Sequence, residues 1–357
     1  MIYLLSLAII VALAGLAPPK YGLQQNNYRN YIWICGFLIA FLSAFRSPYV
    51  GSTDNYIYVH YHYPALQRFD SFADYYNQEL SDYDFLSSEA GFYFTMWAFG
   101  RVFKDGQTAI IVSSLLITIA TCSFLRRNSK DIPLSLTIYI CLGLFTFNMN
   151  GMRQAMAMSI CLFAYEHAKN RKLVPFVLTV LIAMLFHKTA MCFFPMYFLP
   201  MLKNNLGSWL FYIFGLIMCL LFIDRIIAGY YEISGENYAD NGAAEGGGLF
   251  VVLLYAGSIV ITLYNRFILE RRSARTALLA TLTGFTAYVA RYIGSDILER
   301  ISYYYFYFCL LLIPEAFQEL DDQEYKIIKI FFIIGAIALF AYRIHDSSFA
   351  SFEFYFV

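Results

Sequence analysis

The chain has 357 residues, of which 60% are hydrophobic and 14% are charged, whereas soluble globular proteins carry roughly 45–50% and about 25%. About twelve spans of about eighteen residues would use roughly 60% of such a chain, so the composition predicts an all-α polytopic membrane protein. The 25 Lys and Arg residues balance the 25 Asp and Glu residues, so no nucleic-acid partner is expected. The sequence contains no phosphate-binding loop of the kind that a nucleotide-driven pump would need.

Apolar runs separated by polar breaks predict about twelve transmembrane helices in one integral membrane domain, residues 1–357. The predicted spans are 1–18, 30–46, 107–125, 132–148, 152–168, 173–187, 189–202, 208–224, 248–265, 275–291, 301–317 and 327–343. Residues 89–104 are also apolar, but a span there would place Arg126 and Arg127 on the outer side. That segment is therefore predicted to be an interfacial helix.

Basic clusters follow the first, third, fifth and ninth predicted spans, and the positive-inside rule places these clusters in the cytoplasm. Residues 47–106 then form an outer loop that carries the interfacial helix. Residues 225–247 form a second outer loop. Both loops contain several acidic residues, as this orientation allows.

Nine ionisable side chains gather at the outer ends of the predicted spans or in the outer loops. They are Arg46, Asp54, Glu89, Arg153, His187, Arg291, Asp296, Glu299 and Arg300. Charges near membrane depth are costly, so each needs a partner or a function. Arg153 lies in the first turn of a helix, where the dipole and the guanidinium group together favour an anion. Arg46, Arg291 and Arg300 are predicted on the same side, so several planar guanidinium groups would converge on a diphosphate.

His187 is a candidate general acid or base, or a donor to phosphate. Asp54 and Glu89 are the outer carboxylates best placed to activate a hydroxyl, and Glu299 is a third candidate. Structural alternatives remain open: Asp54 can order a turn, Glu89 can cap a helix, and Asp296 can pair with Arg300 four residues later. His60 and His62 lack a third ligand, so neither a metal site nor a cofactor is expected.

Five segments, taken in order, carry a family resemblance. They read F-R-S-P-Y-V-G-S-T-D-N-Y from residue 45, S-E-A-G-F from 88, M-R-Q-A-M-A from 152, A-M-L-F-H-K-T-A-M from 183 and L-E-R-I-S-Y-Y-Y-F from 298. This set resembles the EpsG family, which comprises Wzy-type polymerases of exopolysaccharide, capsule and O-antigen. The resemblance covers roughly residues 1–345. The chain departs from the family pattern mildly, with Ser52 before Thr53 and with Thr189 where Ser is usual.

The resemblance implies a metal-independent membrane glycosyltransferase of the C-type architecture, acting at the outer face of the bacterial inner membrane. Its substrates would be oligosaccharide repeat units on undecaprenyl diphosphate. It would be surrounded by membrane lipids, and its partners would be a flippase and a chain-length regulator. The motifs carry over Arg46, Asp54, Glu89, Arg153, His187 and Arg300 as site residues. The alternatives are a flippase of lipid-linked sugars and an O-antigen ligase. A flippase should carry ionisable groups on both faces, whereas these gather on one face.

Overall fold

The computed structural model describes residues 2–15, 24–81, 88–222, 269–292, 297–317 and 322–356, together with positions 225, 228, 229, 256, 257 and 259. Within these ranges the chain forms helices and one isolated antiparallel β-bridge, between Arg46 and Phe354. The predicted all-α class is therefore confirmed for the described residues.

In the first half of the chain, a segment of short helices separates longer ones, and we call it the outer segment after its predicted location. The helices before this segment are α1 (Ile2–Gly15) and α2 (Gln24–Ala44), and those after it are α6 (Ala90–Gly100), α7 (Gln107–Asn128), α8 (Ile132–Cys141), the short α9 (Leu144–Asn150) and α10 (Met152–Lys169). The outer segment contains α3 (Thr53–Ile57), α4 (Tyr63–Leu66) and α5 (Phe72–Tyr75), with π-helical turns at Tyr58–His62 and Tyr76–Leu80. Helix α6 falls inside the segment predicted as interfacial.

The second half begins with α11 (Leu173–Met184) and two 3₁₀ helices, Lys188–Tyr197 and Leu199–Met201. It continues with α12 (Leu206–Leu221), α13 (Arg272–Ala290), α14 (Ile297–Phe306), α15 (Cys309–Phe317) and α16 (Asp322–His345). The predicted outer loop 225–247 and the predicted span 248–265 lie outside the described residues, apart from the isolated positions named above.

Two described helices are long and apolar enough to cross a bilayer: α7, and α16 from Gln323 to His345. Helices α8 and α9 pass the same test as a pair, but they are bent by 54° at a break. Gly143 lies at this break with φ +96°, a left-handed backbone that glycine adopts without steric cost. Four shorter apolar helices accompany them. The chain is thus a helical membrane protein, and the number twelve stays a prediction.

Helix α10 occupies the centre of the described bundle, in contact with α7, α9, α11, α14 and the first 3₁₀ helix. Its buried faces carry small residues, including Ala155, Ala157, Ser159 and Ala164. Small side chains let helix backbones approach closely within a membrane. Packing on several sides therefore fixes the first turn of α10, which carries Arg153 and Gln154.

Exposed apolar side chains cover the outward surfaces of two helices. On α12 they include Leu210, Phe211 and Phe214, and on α16 they include Phe331 and Ile334. Such a surface is stable against lipid and unfavourable in water. These helices therefore lie at the periphery of the bundle, facing the bilayer.

Residues 352–356 pack on the C-terminal end of α2. The amide of Ser47 donates to the carbonyl of Glu353 at 2.9 Å, and the amide of Tyr355 donates to the carbonyl of Phe45 at 2.8 Å. The ring of Phe354 contacts those of Tyr3 and Phe41. This tail, residues 352–356, closes the edge of the bundle where the outer segment begins.

Candidate functional site

Glu89 lies at the centre of a cluster of charged side chains. Its Oε1 contacts Nδ1 of His187, and its Oε2 accepts a hydrogen bond from Nη1 of Arg153. Only 2% of Glu89 is exposed to solvent. Glu89 immediately precedes α6, Arg153 is in the first turn of α10, and His187 precedes the first 3₁₀ helix. The structure thus joins three of the nine side chains selected from the sequence.

The start of α6 is docked on the end of α11, and this contact places Glu89. The amides of Gly91 and Phe92 donate to the carbonyl of Leu185, at 2.8 and 3.4 Å. Gly91 is essential to this approach, because a Cβ atom there would lie 2.9 Å from Cβ of Leu185. Since Leu185 precedes His187 by two residues, the same contact brings the carboxylate onto the imidazole.

His187 presents a free nitrogen atom beside this contact. The residue is 3% exposed, and its Nε2 is buried without a hydrogen-bond partner among the described residues. An ionised Glu89 accepts a hydrogen bond from Nδ1–H, which fixes the ring and leaves Nε2 to face a ligand. A buried polar atom without a partner is costly, so its retention favours a functional role.

Arg153 keeps part of its guanidinium group available. The side chain is 30% exposed although it pairs with Glu89, and its Cζ lies 5.6 Å from the ring centre of Tyr58. An arginine at a helix N-terminus lies next to unpaired backbone amides. Arg153 can therefore bind Glu89 with one edge and an anionic ligand with another.

The charges around Glu89 determine its protonation state. Burial alone would raise the pKa of this carboxyl, but the charges of His187 and Arg153 outweigh burial and lower the pKa to about 2. Glu89 is therefore ionised at neutral pH. Because both of its oxygen atoms are engaged, it is suited to hold its partners rather than to remove a proton.

Helix α14 is joined to the same elements, and the backbone carbonyl of Arg300 contacts the first turn of α10. The side-chain Nε2 of Gln154 donates to the backbone carbonyl of Arg300 at 2.5 Å, and the hydroxyls of Thr189 and Tyr304 lie 3.0 Å apart. The side chain of Arg300 is exposed. Asp296, four residues before Arg300, lies outside the described residues. Its predicted pairing with Arg300 therefore stays a prediction.

Arg291 and Glu299 pair with each other rather than with the cluster. Nη1 of Arg291 donates to Oε2 of Glu299, and the hydroxyl of Tyr303 donates to Oε1 at 3.2 Å. The guanidinium group also lies 4.8 Å from the ring centre of Tyr288. Much of the charge of Arg291 is thus neutralised within the fold.

Arg46 is 1% exposed and is surrounded by backbone. Its guanidinium group donates to the carbonyls of Ser43 and Met149, the latter at 2.7 Å, and to Oγ of Ser114 at 3.3 Å. It joins the end of α2 to α7 and to the end of α9. Asp54, in contrast, is exposed in the first turn of α3.

Three functional candidates were not selected from the sequence. Tyr58 contacts Arg153, Gln154 joins α10 to α14, and Tyr93 belongs to the aromatic group around Tyr58. Gln154 lies next to Arg153 in the M-R-Q motif, which was a usable signal. The tyrosines carried none, because this chain has 31 of them.

Comparison with known proteins identifies one family. A family model described as the EpsG family matches residues 29–356, nearly the whole chain. No curated protein matches the chain, and no solved structure does.

Proposed function

The chain belongs to the EpsG family, a Wzy-type polymerase-like family, and on that premise we propose that it polymerises lipid-linked oligosaccharide repeat units. The observation that carries the proposal is the contact of Glu89 with both Arg153 and His187. The substrates would be repeat units on undecaprenyl diphosphate. The products would be exopolysaccharide, capsule or O-antigen, made at the outer face of the bacterial inner membrane.

In this proposal Arg153 and Arg300 bind the diphosphate of the donor. During transfer the bond between the anomeric carbon and the diphosphate oxygen breaks, and negative charge develops on that oxygen. Guanidinium groups near neighbouring backbone amides stabilise such charge without reorganising. The exposed part of Arg153 supports its assignment, whereas the buried donors of Arg46 favour a structural role for that residue.

His187 would direct Nε2 towards the diphosphate and donate a hydrogen bond to it. Glu89 fixes the orientation of the imidazole, as a carboxylate behind a histidine does in other enzymes. Positive charge supplied by these side chains makes a metal ion unnecessary in the proposed reaction. A flippase would supply the substrate, and a chain-length regulator would act on the product.

The proposal is tested with purified full-length protein in liposomes. The probe is the lipid-linked repeat unit extracted from cells in which this gene is deleted. Wild-type protein should produce a ladder of products on a gel. Arg153→Ala, His187→Ala and Glu89→Gln should each lower the rate by about 100-fold or more, the usual cost of removing a group that stabilises a transition state.

Glu79→Gln is the matched control, because Glu79 is an exposed acid in the same outer segment. It should retain the wild-type ladder. A full ladder from Arg153→Ala and His187→Ala would contradict the assignment of the site. A single addition to a different acceptor would indicate a ligase, and transport of unchanged substrate would indicate a flippase.

A further inference from the structure

His62 lies beside the tyrosine that packs on Arg153. The π-helical turn Tyr58–His62 directs both side chains towards α6, where the ring of His62 is 5.7 Å from that of Tyr58 and 5.6 Å from that of Tyr93. Tyr58 in turn lies 5.6 Å from the guanidinium carbon of Arg153. Short π-helical insertions occur frequently at functional sites. His62 therefore borders the charged cluster through one shared ring.

The imidazole of His62 is partly exposed, and neither of its nitrogen atoms has a hydrogen bond or an ion pair within the described ranges. His60, two residues earlier, provides a contrast. It is exposed, and its ring lies 4.4 Å from that of Tyr56 and 6.4 Å from that of Tyr49, away from the cluster. The two histidines of V-H-Y-H-Y thus have different surroundings.

The proposed transfer needs a group that accepts a proton from the attacking hydroxyl. Glu89 does not suit this role, because His187 and Arg153 occupy its two oxygen atoms. His187 does not suit it either, because its Nδ1 faces Glu89 and its Nε2 is assigned to the leaving diphosphate. A partly exposed imidazole without a hydrogen-bond partner meets the requirement, since general bases in enzymes are most often histidines.

We propose that His62 is the general base that deprotonates the acceptor sugar hydroxyl. This inference rests on the proposed function. The hydroxyl oxygen forms the new bond to the anomeric carbon of the donor, and its proton passes to His62. The bond between that carbon and the diphosphate breaks, and its electron pair leaves with the lipid diphosphate. His62 then releases the proton to water.

Burial favours the neutral form of His62, and four titratable side chains face it. They are Tyr58 on the same turn, Tyr93 of α6, Arg153 of α10 and Asp54 of α3. Burial and the charge of Arg153 lower the pKa of His62, while the charge of Asp54 acts in the opposite direction. At neutral pH the imidazole is therefore unprotonated and able to accept a proton.

The test measures initial rates of polymerisation against pH, with the extracted lipid-linked repeat unit as probe. Wild-type activity should rise with pH through the titration of His62 and then level off. His62→Gln should lose about 100-fold or more of the rate at neutral pH, the usual contribution of a general base, and should lose that rise. The donor KM should change little. His60→Gln is the matched control and should keep the wild-type rate and profile.

Chemical rescue separates this role from a structural one. Imidazole added to His62→Gly should restore part of the rate, which would not happen if His62 only supported the fold. A wild-type rate and profile in His62→Gln, or the absence of rescue in a folded His62→Gly protein, would overturn the assignment of His62. The absence of a ladder from wild-type protein would refute the proposed function as well, so the two failures are distinguishable.

Discussion

Glu89 is a buried carboxylate on a backbone with φ +53°, and each of these features destabilises a fold unless something offsets it. Arg153 and His187 offset the burial by donating to its two oxygen atoms. Residues held in sparsely populated backbone conformations cluster at active sites. The strain at Glu89 is therefore consistent with a position selected for function rather than for stability.

The lowered pKa of Glu89 predicts a dependence of stability on pH. The folded value of about 2 lies below the usual 4.5. The contribution of ionised Glu89 is therefore fully present above about pH 4.5 and is lost as pH falls towards 2. In thermal unfolding experiments, the difference in melting temperature between wild type and Glu89→Gln should be constant from about pH 7 to pH 5. This difference should become smaller below about pH 5. A gap that widens in acid would contradict this prediction.

Arg46 is expected to act on stability. Arg46→Lys would remove the guanidinium donor to the buried carbonyl of Ser43, at a cost of about 1–3 kcal/mol in unfolding free energy. Thermal unfolding in detergent measures this loss. Arg68→Lys, at an exposed arginine of the same outer segment, is the control and should melt like wild type. A stable Arg46→Lys protein that fails to bind substrate would instead support diphosphate binding by Arg46.

At the scale of helices, the docking of α6 on α11 sets the geometry of the cluster. Gly91→Ala would place a methyl group 2.9 Å from Cβ of Leu185 and would push Glu89 away from His187. We expect a loss of activity of about 10-fold or more, since displacements near 1 Å can cost 100-fold. The ladder assay measures it.

Gly215→Ala is the matched control, because a Cβ atom at Gly215 of α12 would meet nothing within 4 Å. This change should preserve activity and should raise the melting temperature slightly, since alanine favours a helix over glycine by roughly 0.5–1 kcal/mol. Equal activity in the two variants would show that close approach at Gly91 is not needed.

Apolar runs bounded by polar residues predicted α7 and α10 within about three residues, because long runs with clear polar ends allow few alternatives. It did not predict the break at Gly143 or the 3₁₀ conformation of residues 188–201. Apolarity does not distinguish an α-helix from a 3₁₀ helix. Pro195 and Pro200, which lack an amide hydrogen, were the available signal against a regular span.

The charged cluster was only partly predictable for a related reason. Arg153 and His187 were selected because each is an ionisable group at the end of an apolar run, and Glu89 because it precedes one. Their direct contact depends on the amides of Gly91 and Phe92 binding Leu185. The contact of Arg46 with the carbonyl of Met149 could not be predicted either, because Met149 lies about a hundred residues away in the sequence. Contacts across such separations leave no local pattern.

For the molecule as a whole, one orientation must satisfy both the basic clusters and the site. Arg153 begins α10 and Lys169 ends it, so a site at the outer face requires the turn after α10 to be cytoplasmic. A membrane-impermeant maleimide applied to spheroplasts should label Gln78→Cys. It should label Asn170→Cys only after permeabilisation. Both positions are exposed, so equal labelling of the two would contradict this orientation.

The pairing of residues 353–355 with residues 45–47 has a consequence for biogenesis. Arg46 anchors the beginning of the outer segment, yet its backbone partner is synthesised about three hundred residues later. The helices between these two positions must therefore be made before the contact can form. This edge of the bundle closes late in the synthesis of the described residues.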